Sequence, residues 1–157
     1  MWKSDVEEYR KEHVSRRQIN PVSADEIVKK IHHVVFRQKR FKNRNFSITQ
    51  LAEELSVPVY AISTVLNKHL GMNFTSYVNQ FRVKEAMKML RNKRYRELNM
   101  EDIGAMAGFS TRQSFYMVFS KMNNVSPHRY QTDYFKHHLM VERKKEVEVE
   151  CLKKKRK

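Results

Sequence analysis

The chain is 157 residues long and carries 32 Lys and Arg against 17 Asp and Glu, a formal net charge of +15 of which residues 1–130 hold +11. A body this basic suits a polyanion, either a nucleic acid or a membrane surface. Three Gly, three Pro and one Cys argue against a turn-rich sheet protein, a glycine-rich phosphate loop and an internal disulfide, and no apolar run is long enough to span a bilayer or act as a secretory signal.

Residues 1–20 are charged and weakly patterned, and residues 1–22 read as a linker or N-terminal extension. Asn20-Pro21 breaks the chain. Ser23 with Glu26 forms a capping-box pattern, and Ile27, Ile31, Val34 and Val35 follow at helical spacing, which predicts a first helix to about Phe41. Ser47 and Gln50 form a second such pattern ahead of Leu51, Ala52 and Leu55. Pro58 sits at the first turn of the next helix, where its missing N–H costs nothing. That helix carries Ile62, Val65 and Leu66 inward and ends at Gly71. A long helix spans about Phe74 to Asn92, with Tyr77, Val78, Phe81, Val83, Ala86, Met87 and Leu90 inward. The basic run Arg91-Asn92-Lys93-Arg94 closes it in favour of the helix dipole. A short helix covers Met100 to Ala107 and breaks at Gly108. Ser110 and Gln113 form a third capping-box pattern, opening a helix with Phe115, Val118, Phe119 and Met122 inward. Ser126-Pro127 opens the last helix, with Tyr130 and Tyr134 on its face. After about His138 the chain reads as frayed helix or disorder, a charged tail over residues 136–157.

The middle of the chain repeats itself. Ile62, Leu66, Lys68 and Tyr77 recur as Phe115, Phe119, Lys121 and Tyr130, each 53 positions on. Leu51 and Leu55 recur as Ile103 and Ala107 at an offset of 52, so the extra residue falls in the turn. Each copy reads as short helix, tight turn, longer helix and aromatic anchor, the order of a helix-turn-helix. In the second copy Ala105 and Ala107 permit close helix approach, and Gly108 can take a positive φ at the corner. A plain helical bundle with accidental self-similarity is the alternative.

Gly108-Phe109-Ser110, then Phe115, Phe119, Val125-Ser126-Pro127 and Arg129-Tyr130, resemble the signature of AraC-type (AraC/XylS) transcription regulators. Leu51 to Ser56 and Asn67 to Gly71 resemble that family's first helix-turn-helix. Phe74 to Val78 and Arg82 to Ala86 resemble its linker helix. The likeness covers about residues 25–131. It implies an all-α, seven-helix bipartite fold over residues 23–135. Two helix-turn-helix subdomains, about 47–71 and 99–122, would be joined by a long helix at about 74–92. It further implies a cytoplasmic bacterial regulator of double-stranded DNA, an activator by family habit. Its two recognition helices would enter adjacent major-groove segments of an asymmetric site, and RNA polymerase is a further expected partner.

A recognition helix turns its polar face to base edges while its apolar face packs inward. In the second unit that outward side holds Arg112, Gln113, Tyr116 and Met117, with Ser110 and Thr111 at the N-terminus. Arg112 suits guanine O6 and N7, with a phosphate contact or a solvated charge as alternatives. Gln113 suits adenine N6 and N7, or else closes the cap on Ser110. In the first unit Val59, Tyr60, Ser63, Thr64 and Asn67 face outward. By the resemblance, Tyr60, Ser63 and Thr64 sit where the family contacts bases. The family often has a longer polar or basic side chain at the position of Thr64, so weaker or more apolar reading is expected here, through thymine methyls. Docking on phosphates alone is the alternative. Lys68, Lys121, Arg129 and the N–H groups near Ser110 are phosphate candidates. Arg37, Lys39, Arg40, Lys42 and Arg44 form a further basic cluster.

Catalysis, a metal and a cofactor are not expected. His32-His33 and His137-His138 are adjacent pairs that point about 100° apart on a helix, and zinc needs four convergent ligands. Regulators of this family usually carry a sensing domain, for which the residues ahead of the likeness are too few. The chain is then a stand-alone regulator or the output end of a longer sensor, acting through protein contacts. A nonspecific basic nucleic-acid binder is the competing reading, and it requires steep salt dependence with little sequence dependence. No contact of this chain with a membrane is expected.

Overall fold

The structure, a computed structural model, describes residues 21–155, so residues 1–20 of the expected 1–22 linker lie outside the described residues, and residues 21 and 22 are helical. Among these are seven α-helices and no strand: α1 Pro21–His32, α2 Ile48–Leu55, α3 Val59–Leu70, α4 Phe74–Leu90, α5 Met100–Met106, α6 Arg112–Asn123 and α7 Pro127–Lys155. The chain forms two compact units, one through Phe81 and one from Arg82, with α4 running from the first into the second.

The internal repeat holds at the level of individual caps. Ser47 caps α2 and Asn99 caps α5, each side chain accepting from the backbone N–H three residues on. The turns that follow use a positive φ at Ser56 (52°) and at Gly108 (102°). Both α3 and α6 are 12 residues long and end on a left-handed cap, Gly71 and Asn124. The next helices, α4 and α7, open beneath Asn73 and Ser126, whose side-chain oxygens accept from the Ser76 and Arg129 N–H groups at 2.8 and 3.3 Å. Similar local chemistry at matching positions stops and restarts the chain in the same way twice.

In the first unit Ile31, Val35, Leu51, Ile62, Val65 and Leu66 are fully buried, and Tyr77 and Val78 of α4 close this core. Burial pushes the Tyr77 hydroxyl up to about 12 from its ordinary 10.0. The Tyr77 ring sits edge-on to Phe81, with centroids 5.2 Å apart, and its hydroxyl lies 3.2 Å from His32 Nδ1. In the second unit Val83, Ala86 and Leu90 of α4 pack with Ile103, Ala107, Phe115 and Phe119. Arg82 lies over the Phe109 ring, 6.0 Å from its centroid, and burial lowers its pKa below the ordinary guanidinium range.

Three sequence expectations need correction, and a fourth is narrowed to one of its two alternatives. The described part of the first helix already includes Pro21 to Ser23, so Ser23 lies within α1 and not at its start. It gives way to a π-helical turn at His33–Arg37 and a 3-10 turn at Arg40–Lys42 in place of one helix to Phe41. Val34 and Val35 lie in the π turn, and both are buried. Met122 is 44% exposed, not core, whereas Met89 is buried. The end after His138 continues as helix to Lys155. No Gly or Pro interrupts residues 128–155, and His138 meets Glu142 one turn on at 3.7 Å.

Candidate nucleic-acid interface

In the first unit, Ala61, Ile62, Val65 and Leu66 fix the register of α3 by turning inward. The opposite side presents Val59 and Tyr60, 39% and 46% exposed, together with exposed Asn67 and Lys68. Ser63 and Thr64 are half-buried. The Asn67 amide donates to the Ser63 carbonyl at 2.8 Å and to the Ser63 hydroxyl at 3.4 Å. Its donor group is therefore turned back onto its own helix. What remains at the N-terminal end of this face is largely apolar.

The second unit differs. Thr111, not Ser110, caps α6: the Ser114 N–H donates to Thr111 Oγ1 at 3.1 Å, and the Thr111 N–H donates to Ser114 Oγ at 3.4 Å. The expected Ser110–Gln113 box is shifted by one residue. Phe109 is buried and its N–H donates to the Gly104 carbonyl at 2.9 Å, which holds the chain in the turn past Ser110. Gln113 is thereby released from capping and stands exposed. Arg112, the first residue of α6, is exposed and lies 5.3 Å over the Tyr116 ring. Tyr116 is half-buried with its ring edge-on to Phe115, while Met117 is 65% exposed. Ser110 is exposed ahead of the cap.

Because α3 and α6 share length and a left-handed C-cap, their residues correspond one to one at an offset of 53. Val59 matches Arg112, Tyr60 matches Gln113, Ser63 matches Tyr116, Thr64 matches Met117 and Lys68 matches Lys121. One face carries apolar and short hydroxyl side chains where the other carries a guanidinium, an amide and a thioether. A cation in the first turn of a helix opposes the helix dipole. No acidic residue occupies the first turn of α6, so Arg112 and the exposed N–H groups there favour an anion or an electron-rich acceptor.

Lys68 and Lys121 lie in the last turns of α3 and α6, and both are exposed. Arg129 pairs with Asp133 at 3.5 Å, and both side chains are mostly exposed. Such a surface pair contributes little and is readily exchanged for a phosphate. In the basic cluster Arg40 is engaged, 3.3 Å from Glu54 and over the Phe46 ring, whereas Arg37, Lys39 and Arg44 are exposed.

The sequence reading missed the folding-back of Asn67 and the true cap at Thr111. It also named Ala105 and Ala107 for the close helix approach and not Gly104, which packs directly against Phe115. A Cβ at Gly104 would lie 2.9 Å from Phe115 Cγ and Cδ1. Among the described residues no cluster of three or more His, Cys, Asp or Glu is placed to hold a metal ion, and no helix is long and apolar enough to cross a membrane.

Comparison with known proteins agrees with this arrangement. A family model described as a helix-turn-helix domain matches residues 51–133, more than half of the chain. The probable transcription factor PqrA of Proteus vulgaris is 26% identical over 90 residues, covering 57% of this chain and 71% of PqrA. The C-terminal domain of AraT, a response regulator from Geobacillus stearothermophilus, superposes with a TM-score of 0.61 at 25% identity, over 74% of this chain and 88% of that one. An AraC-type regulator from Chromobacterium violaceum shares the fold, with a TM-score of 0.60 at 15% identity over 72% of this chain and 96% of its own. With the repeated helix-turn-helix in place, the chain belongs to the AraC-type helix-turn-helix family of DNA-binding transcription regulators.

Proposed function

We propose that this protein is a sequence-specific regulator that reads an asymmetric duplex site, each recognition helix entering one of two adjacent major-groove segments. The observation that carries this reading is the pairing of equivalent helices with unlike faces. α3 and α6 match in length and in their left-handed C-caps, yet differ in chemistry at four matching outward positions, Val59 and Arg112, Tyr60 and Gln113, Ser63 and Tyr116, and Thr64 and Met117. Two equal faces would favour a repeated half-site, and two unlike faces favour an asymmetric one.

In this reading α6 supplies most of the polar discrimination. Arg112 pairs with guanine O6 and N7, and Gln113 with adenine N6 and N7, each good bidentate contact contributing about 1–3 kcal/mol of discrimination. Met117 and Tyr116 add apolar contact, with Ser110 and Thr111 at the helix entry. On α3, Tyr60 with Val59 packs on thymine methyls, and Ser63, Thr64 and the amide oxygen of Asn67 form the remaining base-facing set. Lys68, Lys121 and Arg129 hold phosphates and fix the register without reading sequence. The regulatory half of the proposal, an activator working beside RNA polymerase in the cytoplasm and without catalysis, follows from family habit.

Methylation interference on a selected duplex tests the groove assignment. Guanine N7 methylation in the block read by α6 should prevent binding, and methylation in the other block should be tolerated. Indifference to N7 methylation throughout would remove the Arg112 role and favour charge-driven, nonspecific binding.

A further inference from the structure

A cavity of about 260 Å³ opens in the second unit, lined by Arg96, Gln131, Thr132, Phe135, Lys136 and Leu139 and by no residue of α6. It is too small for a drug-sized ligand, whose pockets begin at roughly 300 Å³. Its chemistry is one-sided. Two cations line it and no carboxylate does. Of the acids on the neighbouring turns of α7, Glu142 is engaged by His138 at 3.7 Å and Lys93 at 3.9 Å.

Three further features point to a ligand. Gln131 Nε2 is buried and is the one such side-chain polar atom without a hydrogen-bond partner among the described residues. A buried donor in that condition costs stability and calls for an acceptor. The Arg96 guanidinium lies 5.4 Å over the Phe135 ring, which holds it at the cavity wall. The Thr132 hydroxyl donates to the His128 carbonyl at 3.0 Å, so it meets the cavity as an anchored group. Phe135 and Leu139 supply the apolar part of the lining.

We propose that this cavity binds a small carboxylic acid with a short apolar body. The carboxylate would accept from Arg96, Lys136 and, after a small rotation of its amide, Gln131. The apolar body would lie against Phe135 and Leu139. A bare dianion would leave the apolar wall wet, and an amine would meet two like charges. Water alone would satisfy Gln131 but would leave the two cations without a counter-charge. The site is independent of the DNA-reading proposal, and each can fail without the other.

The test is an NMR titration of the whole chain with isovalerate at constant ionic strength, with isopentylamine and inorganic phosphate as comparators. The Gln131 side-chain amide and Arg96 Nε signals should shift saturably with isovalerate only. Arg96→Met keeps a long side chain over Phe135, and it should weaken binding by about tenfold or more. Gln131→Glu replaces the donor with a like charge and should abolish binding. Each variant is checked by circular dichroism, and either one that folds suffices. No saturable shift with isovalerate, an equal response to isopentylamine, or phosphate binding as well as isovalerate would each overturn the proposal.

Discussion

Gly104 and Phe115 set the distance between the two helices of the second helix-turn-helix: a Cβ added at Gly104 would lie 2.9 Å from Phe115 Cγ. Phe115 is fully buried and the atoms in conflict are near the root of its ring, so the side chain has no cheap escape. Gly104→Ala would gain up to about 1 kcal/mol of helix propensity. Overpacking costs about 1–3 kcal/mol. The expected balance is a loss of about 1 kcal/mol, seen as a melting temperature lower by about 4–8 °C for a unit of this size. An unchanged or raised melting temperature would show that α5 and α6 separate freely.

Arg112 and Lys121 have separable roles in the proposed interface. Arg112→Ala should relax specificity at one base position while leaving most nonspecific affinity. Lys121→Ala should weaken binding to all sequences alike and flatten the slope of log K against log salt by about one. Equilibrium binding to a panel of single-base variants at several salt concentrations separates the two. Identical behaviour of both variants would contradict the assignment.

The apolar face at Val59 and Tyr60 predicts methyl reading in the first half-site. Replacing thymine by deoxyuridine removes only the 5-methyl group. A buried methyl-sized group contributes about 0.8 kcal/mol, so each such replacement under α3 should raise Kd by about fourfold. Val59→Ala should shrink that penalty. Deoxyuridine tolerated throughout this half-site would exclude the methyl contact.

Tyr77 predicts an alkaline loss of stability in the first unit. Its folded-state pKa is raised to about 12 by burial, against 10.0 when exposed. Between these values the native state keeps a proton that the unfolded state releases, so the contribution is complete below about pH 10 and is lost as pH rises towards about 12. Chemical denaturation of the wild type and of Tyr77→Phe, compared across that range, isolates the effect from lysine titration. The stability difference should move towards the phenylalanine variant as pH rises, and a constant difference would contradict the burial argument.

Much of the fold was legible because its signals are local. Ser47 with Gln50, Pro58, Gly71, Gly108 and Ser126-Pro127 each act within a few residues, and the helix limits fall near them. The repeat was legible because buried partners recur at a fixed spacing, as Ile62 and Leu66 do in Phe115 and Phe119. What was not legible depends on tertiary packing. Ser110 with Gln113 fits the capping pattern better than Thr111 with Ser114, yet buried Phe109, tied to the Gly104 carbonyl, moves the helix start by one residue. Met122 fits the apolar spacing of α6 but lies on its last, exposed turn. Asn67 has the chemistry of a base-reading residue, and only the structure reveals that its amide is directed to Ser63.

Selection of binding sites from a random duplex pool at physiological salt tests the central claim most directly. The account predicts one enriched, asymmetric motif with two blocks about one helical turn apart, one with conserved guanine or adenine and one rich in thymine. A pool that stays random while keeping salt-sensitive affinity would contradict it and would assign the charge of +15 to nonspecific binding.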